Sequence, residues 1–316
     1  MEENAFDIIA NAVEDYVVKA NVESLEDLRL IKKFNNIILK QPDVYFKYKY
    51  YKKYDLKETD KIVTKFLYNL NPDYKEYYEL RKKDGTIDFN YKHTDGESPY
   101  SVYEFGNRFI YLPLNNNIED SYAIVHELFH DINLDEKEES IARMFYTEGI
   151  SMLGEVLLEE FLQNKNIKDS KAPINFMLYC LKTKSIDVDF NIKLIESYLI
   201  NNYIDKGSII KVLNTYSSSY VEDLSYSIHK IVDTYELSLD EQQTYIVGGL
   251  ITFYMYDRIK QNRKNIKELF ELNEELKNYT FEQVLDYLEL NYNNIDLNID
   301  SYQKLEQCYK KYLKSR

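Results

Sequence analysis

His126, Glu127 and His130 stand within the segment AIVHELFHDINL, in the spacing HExxH. Residues four apart on an α-helix lie about 40° apart around its axis, so both imidazoles leave one face and can close on a single divalent cation. Glu127, beside the first histidine, faces the position such a cation leaves open, where it can take a proton from water. The chain holds four histidines in 316 residues, and shuffled chains of this composition would show the pattern in roughly a third of one percent of cases. Ile118, Tyr122, Val125, Phe129 and Ile132 form an apolar stripe beside the histidine face, which predicts a buried amphipathic helix.

A catalytic zinc takes three protein ligands and keeps one position open. The next helical segment, EESIARMFYTEGISMLGEVLLEEFL, offers Glu138, Glu139, Glu148 and Glu155. Glu148 is the expected third ligand for one Zn²⁺, because it stands between Phe145, Tyr146 and Ile150. An uncompensated carboxylate is costly to bury in such a segment, and a cation would stabilise it. Glu138 and Glu139 read as solvated residues of a charged helix start. Glu155, seven residues on and on the same face, and Ser151 between them, are placed to orient the ligands; a partly exposed helix residue is the plainer reading of Glu155.

The elements around this motif are mostly helical. Eight Gly and five Pro punctuate the chain, and apolar residues recur at i, i+3, i+4. Helices are expected near 4–20, 24–40, 58–70 and 73–83, with Thr59 or Asp60 as caps and Asn71-Pro72 as a break. Alternating runs between Gly85 and Leu114 (TIDFN, YSVYEF, NRFIYLPL) predict one small sheet of two to four short strands just before the HExxH helix. Helices then resume near Ile118, with breaks at Asn133, at Ala172-Pro173 and near Ser185. The basic, aromatic stretch FKYKYYKKY at 46–54 reads as a solvated helix face or turn.

Lys+Arg 40 against Asp+Glu 54 gives a formal charge of −14, which repels phosphate backbones and anionic membranes, so nucleic acid and membrane are not expected partners. No apolar run approaches the roughly 18–20 residues of a membrane helix, and the acidic start MEENAFDIIA does not resemble a secretory leader. Cys180 and Cys308, far apart in apolar contexts, form no disulfide framework and suit a reducing compartment. A cytoplasmic location is the expectation. The 32 tyrosines, with Trp absent, reflect the codon bias of an AT-rich genome more simply than any chemistry.

The residues around the motif resemble the oligoendopeptidase F and thimet oligopeptidase family of zinc peptidases. That family has a strand running into Asn and then an Asp six residues before the first zinc histidine; FIYLPLNNNIEDSYAIVHELFH supplies Asn115–Asn117 and Asp120. Glu148, Ser151, Glu155, Leu157 and Leu158 match the run that carries the family's third ligand. GTIDF and TYIVGGLITFYMY are weaker matches, and the resemblance as a whole covers approximately residues 55–315. The resemblance implies a helical zincin-like peptidase domain at 55–316, preceded at 1–54 by a helical segment that stands for a shortened lid or wall. It implies hydrolysis of oligopeptides or unfolded peptides by a metal-activated water, with Glu127 as general base. It implies that Tyr245, three residues before Gly248, helps hold the transition state, with His229 the nearest histidine to the place the family fills with one. Asp120, Ser151 and Glu155 would support the ligands. The chain departs from the family in its length, about half the usual, and in the 17 residues between His130 and Glu148, several fewer than the family has. The alternatives are a catalytically quiet, zinc-stabilised peptide-binding or structural protein, and a hydrolase of non-peptide amides. The strand at 108–112 is expected to be the sheet edge beside the metal helix, open to an added substrate strand.

Overall fold

The third and fourth helices of the chain each begin where a side chain satisfies a free amide. In the computed structural model, which describes residues 3–19, 22–43, 50, 52–89, 99–104, 107–133, 141–237, 239–261 and 299–316, α1 covers Glu3–Lys19 and α2 Val22–Leu39. α3 covers Leu56–Leu70 and α4 Pro72–Lys83. The cap of α3 is Asp55, whose carboxylate accepts from Glu58 N at 2.8 Å, and not Thr59 or Asp60. Thr59 is buried inside the helix, and Asp60 instead accepts from Tyr78 Oη and Lys82 Nζ of α4. Asn71 ends α3 and caps α4, with Pro72 in the first helical turn, where its missing N–H is not needed. Of the basic stretch at 46–54, residues 46–49 and 51 lie outside the described residues. Tyr54 is buried and its amide donates to Asn116 O, while Lys52 pairs with Glu58.

Among the described residues three strands follow: β1 (Ile87–Asp88), β2 (Tyr100–Glu104) and β3 (Asn107–Tyr111). Their order is β1-β3-β2, with β3 parallel to β1 and antiparallel to β2, so that Tyr100 faces Tyr111 and Val102 faces Phe109. The strand expected at the edge is therefore the central one. Ile110 N and Leu112 N are taken by Thr86 O and Asp88 O, and Arg108 O accepts from Arg81, which leaves that side of β3 little backbone for an added strand.

The remaining α-helices among the described residues are α5 (Glu119–Asn133), α6 (Ile141–Gln163), α7 (Lys171–Asn201), α8 (Lys206–Leu213), α9 (Ser218–Thr234), α10 (Leu239–Gln261) and α11 (Ile299–Ser315). α5 is described as far as Asn133, and residues 134–140, on which the break expected there would show, lie outside the described residues. Pro173 falls in the first turn of α7, where proline is tolerated, whereas no break occurs near Ser185: α7 runs through it, with Ser185 wholly buried. The architecture is mostly α with one small sheet ahead of α5. No helix among the described residues is long and apolar enough to cross a membrane.

The chain divides into two compact units. One contains residues 1–44 and 179–247, with α1 packed on α8 and α9. Its core includes Ile9, Val13, Ile37, Ile38, Phe190, Leu194 and Leu224. Here Lys182, almost fully buried, donates to Leu39 O and Gln41 O at 2.8 Å each, filling the carbonyl end of α2, which has no basic residue of its own.

The other unit contains residues 45–178 and 248–316. Its centre is the pair α5 and α6, with α5 packed also on α3, β2 and β3. A Cβ on Gly154 would stand 2.7 Å from Phe129 Cδ2 and 3.0 Å from Val125 Cγ1, so α6 comes this close to α5 only because that position has no side chain. Wholly buried Asp131, at the end of α5, accepts from Arg81 through both carboxylate oxygens (2.9 and 3.1 Å) and from Tyr77 Oη (2.8 Å). Arg108 of β3 donates to Asp131 O, so one carboxylate and two guanidinium groups join α4, β3 and α5. Breaking a buried pair leaves an uncompensated charge. Asp131→Asn should lower the unfolding free energy by about 3 kcal/mol, measured as a shift in urea midpoint; an unchanged midpoint would remove this node from the frame of the fold.

Candidate metal centre

The loop after β3 delivers the chain to α5 through a left-handed residue, Asn116 (φ 56°), a conformation asparagine adopts more readily than most side chains. Asp120, in the first turn of α5 and 3% exposed, accepts from Asn115 N at 2.8 Å, which fastens the loop to the helix start. Burial raises its pKa, opposed by the amides of Asn115, Asn116 and Asn117. Beside it, burial and the Asp120 charge push Glu119 up to about 7. The expected stripe of α5 is inward: Ile118, Tyr122, Val125 and Phe129 are buried, with Ile132 half-buried.

One face of α5 carries His126 and His130, and α6 brings Glu148 against them. His126 Nε2 and His130 Nε2 are 3.0 Å apart. Glu148 Oε2 is 3.2 Å from His130 Nε2, and its Oε1 is 3.6 Å from His126 Nε2. One donor atom from each residue can be chosen so that all lie within 4.8 Å of one another. Ligands at about 2.1 Å around a tetrahedral cation are separated by roughly 3.4 Å, a spacing that these contacts bracket. Two imidazoles and a carboxylate are donors that zinc accepts, so these residues fit a metal ion.

The second nitrogen of His126 is also occupied. Its Nδ1 lies 2.6 Å from Glu155 Oε1, an arrangement that fixes the ring and leaves Nε2 for the shared space with His130. Glu127 is 6% exposed, as is Glu148. Burial works against a charge on His126, but Glu148, the hydrogen bond and charge of Glu155, and Glu127 overcome it and raise its pKa to about 10. In the absence of a metal, a proton therefore compensates part of this carboxylate charge.

Other residues singled out by sequence are placed as follows. Ser151 is wholly buried one turn from Glu148, and its hydroxyl has no hydrogen-bond partner among the described residues. Glu138 and Glu139 lie outside the described residues. Tyr245 and His229 belong to the unit of residues 1–44 and 179–247. Tyr245 is half-buried on α10, with Lys184 Nζ 4.0 Å from its ring centroid, and His229 is exposed on α9, its Nδ1 2.6 Å from Ser225 O of its own helix. Sequence reasoning passed over Asp131 and Gly154. An acid and a glycine inside apolar helical runs were the available signals.

No family model matches the sequence, and no curated protein is similar to it in sequence. Solved structures do share its fold. A structure named PZ peptidase A with an inhibitor matches 94% of this chain with a TM-score of 0.63 at 13% identity. A candidate peptidase from Chlamydophila abortus matches all of it (TM-score 0.60, 14% identity), and a candidate oligoendopeptidase F from Bacillus anthracis matches 98% (TM-score 0.53, 13% identity). The chain covers 59%, 55% and 56% of those chains, respectively, and so spans a little over half their length.

The raised pKa of His126 carries a sign. A group whose folded pKa of about 10 exceeds its unfolded value of about 6.5 adds stability that is fully present below pH 6.5 and is lost as pH rises through 10. Metal-free protein should therefore lose thermal stability between pH 7 and 10.5, with the His126 ring resonances titrating near the top of that range. A ring titrating near 6.5 would contradict the arrangement of carboxylates around it.

Proposed function

We propose that this chain is a zinc-dependent peptidase that hydrolyses oligopeptides or unfolded peptides. The observation that carries the reading is the convergence of His126, His130 and Glu148 at metal-ligand spacing from two packed helices. The shared fold with proteins named as peptidases supports it. His126, His130 and Glu148 would hold one Zn²⁺, and Glu155 would fix the orientation and tautomer of His126. A zinc ion held there supplies Lewis acidity, lowering the pKa of a water toward about 7 and polarising the substrate carbonyl.

Glu127 then has the chemistry that remains. It follows a ligand, is not itself in the ligand group, and is buried where its carboxylate is poorly solvated. In this reading it accepts the proton of the attacking water and returns it to the leaving amine, general base and then general acid. Asp120 anchors the loop that leads into the metal helix. Tyr245 is assigned donation to the developing oxyanion from its match to the family pattern. His229, exposed and bonded within its own helix, receives no role.

Glu127→Gln should retain zinc, measured by elemental analysis after dialysis, and lose cleavage of quenched oligopeptides by a hundredfold or more. Full turnover in this variant would refute its role, and zinc binding without cleavage by the unaltered chain would favour the quiet peptide-binding alternative. Because His126 is protonated at neutral pH in the metal-free site, zinc binding should release about one proton there. Calorimetry in buffers of different ionisation enthalpy measures that number, and no release would mean that His126 is not a ligand. Tyr245→Phe should lower kcat with little change in KM, and unchanged kinetics would take Tyr245 out of the mechanism.

A further inference from the structure

Two glycines meet where α6 and α10 come together, directly behind the carboxylate assigned as third ligand. Gly149 follows Glu148 on α6, and Gly248 faces both from α10. A Cβ built on Gly248 would lie 3.1 Å from Glu148 Cβ, 3.2 Å from Glu148 Cγ and 3.1 Å from Gly149 N. One built on Gly149 would lie 3.1 Å from Gly248 O and 3.4 Å from Ile251 Cγ2. Non-bonded carbon atoms prefer about 3.5–4.0 Å. Several of the obstructing atoms are backbone, so they cannot swing aside. Thr252, fully buried and one turn beyond Gly248, donates its hydroxyl to Gly149 O at 2.7 Å, and that hydroxyl is also 2.9 Å from Gly248 O. A single side chain thus ties the two helices at the point where both lack side chains.

We propose that Gly248 and Thr252 are positioning residues for Glu148, setting where its carboxylate meets His126 and His130. The inference rests on the reading of Glu148 as a metal ligand. The bare Cα of Gly248 is the wall against which the first two carbons of Glu148 pack, and this contact restricts the side-chain torsions nearest the backbone. Thr252 fixes the backbone of residue 149 against α10, and with it the origin of the neighbouring side chain. A methyl at 248 demands a displacement of several tenths of an ångström, whereas metal–ligand distances hold to within about 0.2 Å. The displacement would fall on the ligand itself, because Glu148 Cβ and Cγ are among the nearest atoms.

The test measures zinc affinity by chelator competition and the visible absorption of the Co²⁺-substituted protein, which reports ligand geometry without turnover. Loss of binding in Glu148→Ala first establishes the ligand; if the unaltered chain binds no zinc, the metal reading fails and takes this inference with it. Given binding, Gly248→Ala should weaken zinc ten- to a hundredfold and alter the Co²⁺ bands. Thr252→Val should weaken it several-fold, with Thr252→Ser, which keeps the hydroxyl, restoring the unaltered value. Phe66→Leu, a core change where Phe66 packs edge-on against Phe161, provides a variant that lowers the melting temperature and should leave zinc affinity and spectrum unchanged. Unaltered affinity and spectrum in folded Gly248→Ala would overturn the proposal. If that variant does not fold, the Thr252→Val and Thr252→Ser pair decides it: equal affinities overturn it, and a difference reversed by serine sustains it.

Discussion

Negative charge confined in little solvent is the constraint that organises this molecule. Glu127 and Glu148 are nearly excluded from water, and Glu155 bonds to a ring that sits between the same two helices. Burying carboxylates without compensation costs far more than any one helix contact returns. Two imidazoles offer partial relief, and the high proton affinity of His126 shows the direction of the imbalance. A divalent cation would offset it more completely than one proton, because it neutralises two charges and takes three lone pairs at once. The cluster is thus poorly suited to be a mere core feature, since a core gains nothing from gathering acids around two histidines.

Holding such a cluster together requires that the supporting helices cannot relax apart. The devices are of two kinds. Glycines remove bulk where helices press together: Gly154 admits Phe129 from α5, and Gly149 and Gly248 admit each other. Buried polar links oppose sliding: Arg81 and Arg108 bind the end of α5 through Asp131, and Thr252 binds α6 to α10. Close packing resists compression, and directional hydrogen bonds resist shear. Together they restrict side chains with several rotatable bonds to the small tolerances that a bound metal ion would demand.

Much of this was legible in the sequence because its signals are local. The helix pattern showed in apolar periodicity, and the break at Asn71-Pro72 showed because two residue types with opposite backbone demands adjoin. HExxH showed because a helix converts spacing into direction. Glu148 showed through its apolar flanks, and it does lie beside the histidine pair. What did not show depends on partners distant in sequence. The placement of β3 at the centre of the sheet follows from a parallel pairing with two residues of β1, some twenty positions earlier, which no alternation of residues encodes. The division of the chain into units that interleave in sequence is equally nonlocal. Ser185 read as a break because serine weakens helices in isolation, but burial within α7 overrides that preference.

The proposed centre is compact in sequence as well as in space. Asp120, the two histidines, Glu127, Glu148 and Glu155 fall within 36 consecutive residues, on α5 and α6 of one unit. Their geometry needs the sheet, α4 and the part of α10 beyond Gly248 as supports, all in the same unit. A chain spanning little more than half of the peptidases whose fold it shares can therefore keep this cluster intact.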